Sequence, residues 1–202
     1  IRKWRKKIED DKMKKLILFF IAFFSVVTFY PSSISAQDES MQKWMEYMTP
    51  GDMHKLMASH TGAWKVKTTF WMAPGGEPTN SDATANGEMI LGGRYLMTKF
   101  SGNMMGMPFE GMSMEGYDNA TKMFNSTWID NMGTGVMFMT GKYDESAKQI
   151  VYTGKAVDPM SGGYVDVRQI VKFNADGSTL MEMYGPGPDG KEYKTMEVAM
   201  TK

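Results

Sequence analysis

The sequence predicts an all-β fold: an antiparallel up-and-down barrel of about ten strands, preceded by a short helical region. Three observations predict it. From Gly62 the apolar residues recur at every second position, as in Trp64, Val66, Thr68, Phe70 and Met72 against Lys65, Lys67 and Thr69, the period of a half-buried strand. Turn-forming clusters return every ten to fifteen residues or so, among them Pro74-Gly75-Gly76, Gly92-Gly93, Asp118-Asn119, Asp158-Pro159 and Asn174-Ala175-Asp176-Gly177. No helical stretch separates the strands, so hairpins join them in order, and closure removes the exposed edges.

The elements follow in sequence order. Residues 1–12 precede a Met-Lys-Lys start at Met13 and read as an upstream extension from a misplaced start. Residues 13–36 carry the three parts of a secretory signal peptide: Lys14-Lys15, the apolar run Leu16–Phe29, and a small-residue exit at Ala36. The run is short for a membrane span, which needs about 20 apolar residues. Cleavage after Ala36 would leave an exported domain, periplasmic or secreted, with no membrane attachment.

Residues 37–61 form the helical region. Met41, Trp44, Met45 and Met48 fall on one helical face, and Thr49-Pro50 reads as the N-cap and first turn of a second helix carrying Met53, Leu56 and Met57. Both stripes are expected to pack on the barrel or plug one end of it. Residues 62–202 are the barrel domain, with strands expected at 62–73, 83–91, 93–101, 109–117, 122–130, 134–141, 148–154, 164–173, 178–184 and 191–201.

Composition excludes several functions. Beyond residue 36 the chain holds fifteen basic and twenty acidic residues, a net charge of −5 that argues against a nucleic-acid partner. It has no cysteine, which removes disulfides, thiolate metal sites, cysteine nucleophiles and a lipidated cysteine. Its two histidines, His54 and His60, would stand about 240° apart on a helix, unlike a zinc-binding pair. No nucleophile elbow, phosphate loop or dinucleotide fingerprint occurs, and no cofactor is expected.

Methionine is the compositional anomaly, with 22 beyond residue 36. Met112/Met114, Met137/Met139 and Met181/Met183 are i, i+2 pairs, so each pair shares one strand face, and Met196 and Met200 share a face with Val198. Pointing inward, they would line the barrel with adaptable thioethers, alongside Trp128, Phe138 and Tyr184 as aromatic walls. Alternatively they fill an irregular core. A third reading takes Met105, Met107, Met112 and Met114 as soft ligands for Cu(I) outside the cytoplasm. Ser126, Trp128 and Asp130 alternate to one face of a strand, either as an aromatic floor beside a carboxylate or as a core tryptophan followed by a turn. Rim carboxylates brought together by the strands would instead serve a hydrolase or isomerase. Asp166 and Arg168 share a strand face and read as a solvent-side ion pair.

The Gly62-Ala63-Trp64 opening resembles that of lipocalin-like barrels, where the tryptophan closes one end beneath a basic side chain. Arg168, then Arg94, are the candidate cations. A longer resemblance rests on His54-Lys55-Leu56, Leu91-Gly92-Gly93-Arg94-Tyr95-Leu96, Met105-Gly106-Met107-Pro108-Phe109-Glu110-Gly111, Gly116-Tyr117-Asp118-Asn119, Ser126-Thr127-Trp128-Ile129-Asp130-Asn131-Met132, Tyr143-Asp144, Glu182-Met183-Tyr184 and Gly187-Pro188-Asp189-Gly190-Lys191-Glu192. On these residues the chain is similar to the bacterial domain-of-unknown-function family 1579. The resemblance implies a lipocalin-like barrel and no particular activity. The haem ligation of nitrobindin-like barrels finds no histidine in the C-terminal strands. The sequence therefore points to non-catalytic binding of a small apolar or aromatic molecule inside an exported barrel, with copper binding and hydrolase or isomerase chemistry as alternatives.

Overall fold

The computed structural model describes residues 32–202, with side chains described from Gln37 onward. The expected upstream extension and the apolar run of the signal peptide lie outside the described residues. The chain divides into two compact units, the first ending at Tyr47 and the second beginning at Met48.

In the first unit helix α1 spans Ser32–Met48. Its Gln42–Glu46 and Lys43–Glu39 pairs are exposed i, i+4 contacts. The Met41, Trp44 and Met45 stripe is more than half exposed, and the Trp44 and Tyr47 rings meet edge-on at 5.7 Å. Among the described residues no helix is long and apolar enough to cross a membrane.

In the second unit helix α2 spans Asp52–Ala58 and ten strands follow: β1 Gly62–Phe70, β2 Thr79–Ile90, β3 Tyr95–Met104, β4 Met107–Asp118, β5 Met123–Asp130, β6 Met137–Asp144, β7 Gln149–Asp158, β8 Gly163–Phe173, β9 Thr179–Pro186 and β10 Glu192–Thr201. Helix α2 starts two residues later than the Thr49-Pro50 signal suggests. Gly51 is extended there (φ −115°, ψ −155°), and its N–H donates to His54 Nδ1 at 3.0 Å, so a histidine in the first turn does the capping.

Every neighbouring pair is antiparallel in sequence order, and β1 closes the barrel against β10. The expected strands are all present, with ends displaced by a few residues where turns are tighter than composition suggests. In β10 the register shifts between Lys194 and Met196. Thr195, the extra residue, donates its hydroxyl to Met183 O (3.2 Å) and accepts the Trp71 N–H at its carbonyl (2.9 Å).

Facing pairs across the registers fix which residues look inward. Trp64 and Val66 oppose Ala85 and Ala83, which oppose Phe100 and Gly102, which oppose Gly111 and Phe109. The same parity carries Ser113, Glu115 and Tyr117 inward, then Phe124, Ser126 and Trp128, then Met137, Met139 and Gly141. One end is closed by α2. Met57 is buried there with Leu96, Phe124, Met139, Ile150, Tyr152 and Val167, and Met53 and Leu56 pack beside them. Each side chain fully buried in this cluster contributes about 1.5–3 kcal/mol relative to exposure.

Trp64 and His60 complete that closed end. Trp64 is buried, donates Nε1–H to His60 O at 3.0 Å, and stacks on the His60 ring with 10° between planes. His60 in turn packs on Phe173 at 4.8 Å and meets Leu56 O through Nδ1. Burial holds the His60 imidazole below its ordinary range, so it remains neutral in this apolar setting. The cation over Trp64 is Lys202, with Nζ 5.0 Å from the ring centre. Arg168 and Arg94 do not fill that place. Arg168 lies over Tyr184 at 4.2 Å and pairs with Glu192, whereas Arg94 donates to Met48 O and Leu91 O. Nor do Asp166 and Arg168 pair with each other, since Asp166 accepts from Lys155. The last residues of β10 run beside Trp64 in the closed register, a proximity of chain ends that strand order alone decides.

Candidate functional site in the barrel interior

Ten strands enclose more space than the roughly eight whose side chains just fill a barrel. The inward faces agree with that. At the closed end they are fully buried. Further up, Trp128, Met137, Val165, Met181, Met183 and Met196 are only half-buried although they point away from bulk solvent. This stretch of the inner wall, which bounds the barrel's lumen, is left partly uncovered by neighbouring side chains.

At the open end an aromatic cluster lines the wall. Trp128 lies edge-on to Phe100 (5.3 Å) and stacks with Phe109 (6.3 Å, 19°). Gly111 makes this possible, since a Cβ there would stand 2.6 Å from the indole. The Trp128 Nε1–H donates to Asp130 Oδ2 at 2.6 Å, and Asp130 Oδ1 accepts the Met132 N–H. Asp130 is thus engaged in holding the indole and the following turn.

Deeper in the lumen lies the one feature that composition and motifs do not suggest. Glu115 faces Leu96 on β3 and Ser126 on β5, at the full depth of the barrel, yet its side chain keeps partial accessible surface, as a wall residue of a void does. Among the described residues no lysine, arginine or histidine pairs with it. Loss of water alone pushes its carboxyl up to about 7. Tyr152 on β7 is wholly buried, feels the Glu115 charge, and has a hydroxyl without a protein hydrogen-bond partner. Both effects raise its phenol well above the ordinary range. An orphaned buried hydroxyl is rare and costs about 1–3 kcal/mol.

Of the residues singled out in the sequence, Met137, Met139, Met181, Met183 and Trp128 face inward and share the lumen with Met196 and Met200. Met112, Met114, Phe138 and Tyr184 do not: they sit on the outer face. On β4 the inner parity belongs to Phe109, Gly111, Ser113, Glu115 and Tyr117, so Met112 and Met114 share a face, but the outer one, opposite Lys99 and Met97. Phe138 lies between Met137 and Met139, and Tyr184 follows Met183, so strand alternation itself sends them the other way. Phe138 is 53% exposed.

The four methionines of the copper reading are spread along one hairpin. Met105 and Met107 are exposed at its tip, and Met114 lies seven residues along β4 from Met107, roughly 23 Å at strand spacing. Their sulfurs do not converge. Among the described residues no group of three His, Asp or Glu side chains is placed to hold a metal. His54 is buried at the closed end, where its ring meets Tyr117 edge-on at 6.0 Å and hydrogen-bonds that strand's backbone. A pocket of about 500 Å³ at β1–β3 is lined by the inner-parity Trp64, Ala85 and Phe100 together with Lys65, Lys99 and Lys202.

The model of a family described as "Protein of unknown function (DUF1579)" matches residues 49–202. The chain belongs to this family. The match covers α2 and the whole barrel. No curated protein matches the chain. Among solved structures it is similar to Rv2717c from M. tuberculosis, with a TM-score of 0.55 and 9% identity over 76% of this chain and 99% of that one. At that identity the likeness is one of fold.

Proposed function

We propose that this DUF1579 protein binds a small apolar or aromatic molecule inside its barrel without chemically changing it. The supporting observation is the half-buried inner wall: thioethers of Met137, Met181, Met183 and Met196 with the Trp128 indole present apolar surface that neighbouring side chains leave uncovered. Thioethers adapt to differently shaped apolar ligands, and an indole supplies a flat wall for rings. The reading also takes the protein to be exported, on Lys14-Lys15, Leu16–Phe29 and Ala36.

The test is titration with an apolar fluorescent probe, followed by native mass spectrometry of protein purified from its own host. Binding with one site, lost in Met183→Lys while the circular dichroism spectrum persists, is the expected result. A probe that does not bind, with no organic mass retained, would mean that the methionines are core filler.

A further inference from the structure

The strand bases and the buried acid divide between the two faces of the barrel. Every lysine and arginine carried by the ten strands alternates to the outer face, from Lys65 and Lys67 on β1 to Arg168 and Lys172 on β8 and Lys194 on β10. Many of them pair there: Lys155 with Asp166, Arg168 with Glu192, Lys172 and Lys194 with Glu182. On the inner parity the carboxylates are Glu115 at depth and Asp130 and Asp158 at strand ends; Asp130 is held by Trp128 and Met132, and Asp158 accepts from Met160 N and Ser161 Oγ. At the closed end Lys202 stands over Trp64 and Arg94 donates to Met48 O and Leu91 O, neither pairing with Glu115, and burial lowers the pKa values of His54 and His60. Glu115 is therefore an inward-facing acid without a cation, opposite Leu96 and Ser126.

A buried ionised carboxylate is tolerated when a counter-charge and hydrogen bonds compensate it. The protein supplies neither, and the lumen is otherwise suited to a cation: its walls are thioethers and π-faces, which attract positive charge, and it holds no competing base. We propose that Glu115 forms a receptor floor for the protonated nitrogen of an amphipathic amine, whose apolar or aromatic body lies against Met181, Met183 and Trp128. The N⁺–H donates to the Glu115 carboxylate, which keeps accessible surface on the inner wall. This inference rests on the apolar-ligand reading above and adds the charge of the ligand to it.

The experiment compares three naphthalene probes of matched size at pH 8 by calorimetry: 1-naphthylmethylamine, 1-naphthylmethanol and 1-naphthylacetate. The full chain should bind the amine at least ten-fold more tightly than the alcohol and exclude the acetate. Glu115→Gln should remove the preference, bringing the amine down to the affinity of the alcohol. Equal affinities for amine and alcohol, a preference for the acetate, or a preference surviving Glu115→Gln would overturn the amine floor while leaving the apolar lumen standing. Failure of all three probes would bring down the apolar reading and this inference together. Should Glu115→Gln not fold, the probe series on the unaltered chain still decides.

Discussion

The ring of Tyr152 occupies the space that a side chain at Gly141 would need. The two residues face each other across β6 and β7, and a Cβ on Gly141 would stand 2.6 Å from Tyr152 Cδ1 and 2.9 Å from Val151 O. Backbone on one side and a fully buried ring on the other leave no room to yield. Gly141→Ala should therefore destabilise the barrel by about 1–3 kcal/mol, the usual cost of overpacking, read as a lower urea midpoint at unchanged slope. A neutral result would show that Tyr152 is free to move.

Glu115 makes stability depend on pH in a defined direction. Its carboxyl holds a proton up to about 7 in the folded chain, against 4.5 for an ordinary glutamate. Below pH 4.5 both states are protonated and nothing is lost. As pH rises through 4.5 to about 7 the unfolded chain releases the proton first, so stability falls, by on the order of 3 kcal/mol in all. His54 and His60, whose pKa values are lowered by burial, act oppositely and lose stability as pH drops below 6.5. Comparison with Glu115→Gln isolates the glutamate: the variant should be more stable than the parent at pH 8 and similar at pH 4.5 in urea melts.

Trp64 and Lys202 contribute very differently to the closed end. Trp64→Ala should cost about 3–5 kcal/mol, as for other buried large aromatics. Lys202→Ala removes an exposed cation 5.0 Å from the ring and should cost less than about 1 kcal/mol. Chemical denaturation of both variants checks the order, and a Trp64→Ala change below 1 kcal/mol would place the indole outside the core.

Inner and outer methionines should respond differently to charge. Met183→Lys puts an ammonium into the lumen and should abolish apolar-probe binding, whereas Met114→Lys, at a position 40% exposed on the outer face, should leave binding within about two-fold. Probe titration of the two variants side by side reads this contrast. Equal losses would mean that the probe binds elsewhere.

Export predicts cleavage after Ala36, leaving Gln37 as the first residue. Intact mass of the protein recovered from the extracytoplasmic fraction should show that terminus. Retention of Leu16–Phe29 would instead indicate an anchored protein.

The barrel was legible from Gly62 onward because strand alternation and turn composition are local properties: each needs only a few consecutive residues. Parity was legible too, so that Met137/Met139 and Met181/Met183 were correctly paired. Which face a pair takes was not. On β4 the inner parity carries a glycine and a glutamate, Gly111 and Glu115, while the outer carries Met112 and Met114, so hydrophobicity alone points the wrong way. Gly111 is inside because the Trp128 ring needs its space, and Trp128 lies on another strand.

By itself the sequence determined the all-β class, the ten strands and their hairpin order, and the methionine-rich composition of their faces. The tertiary structure alone decided that Lys202 rather than an arginine stands over Trp64, that the hairpin methionines diverge, and that Glu115 faces inward without a cation. The physical reason is common to all three. Closing β1 onto β10 sets the inward direction for every strand at once and brings together side chains remote in sequence, and burial then changes their chemistry in ways that neighbours along the chain do not encode.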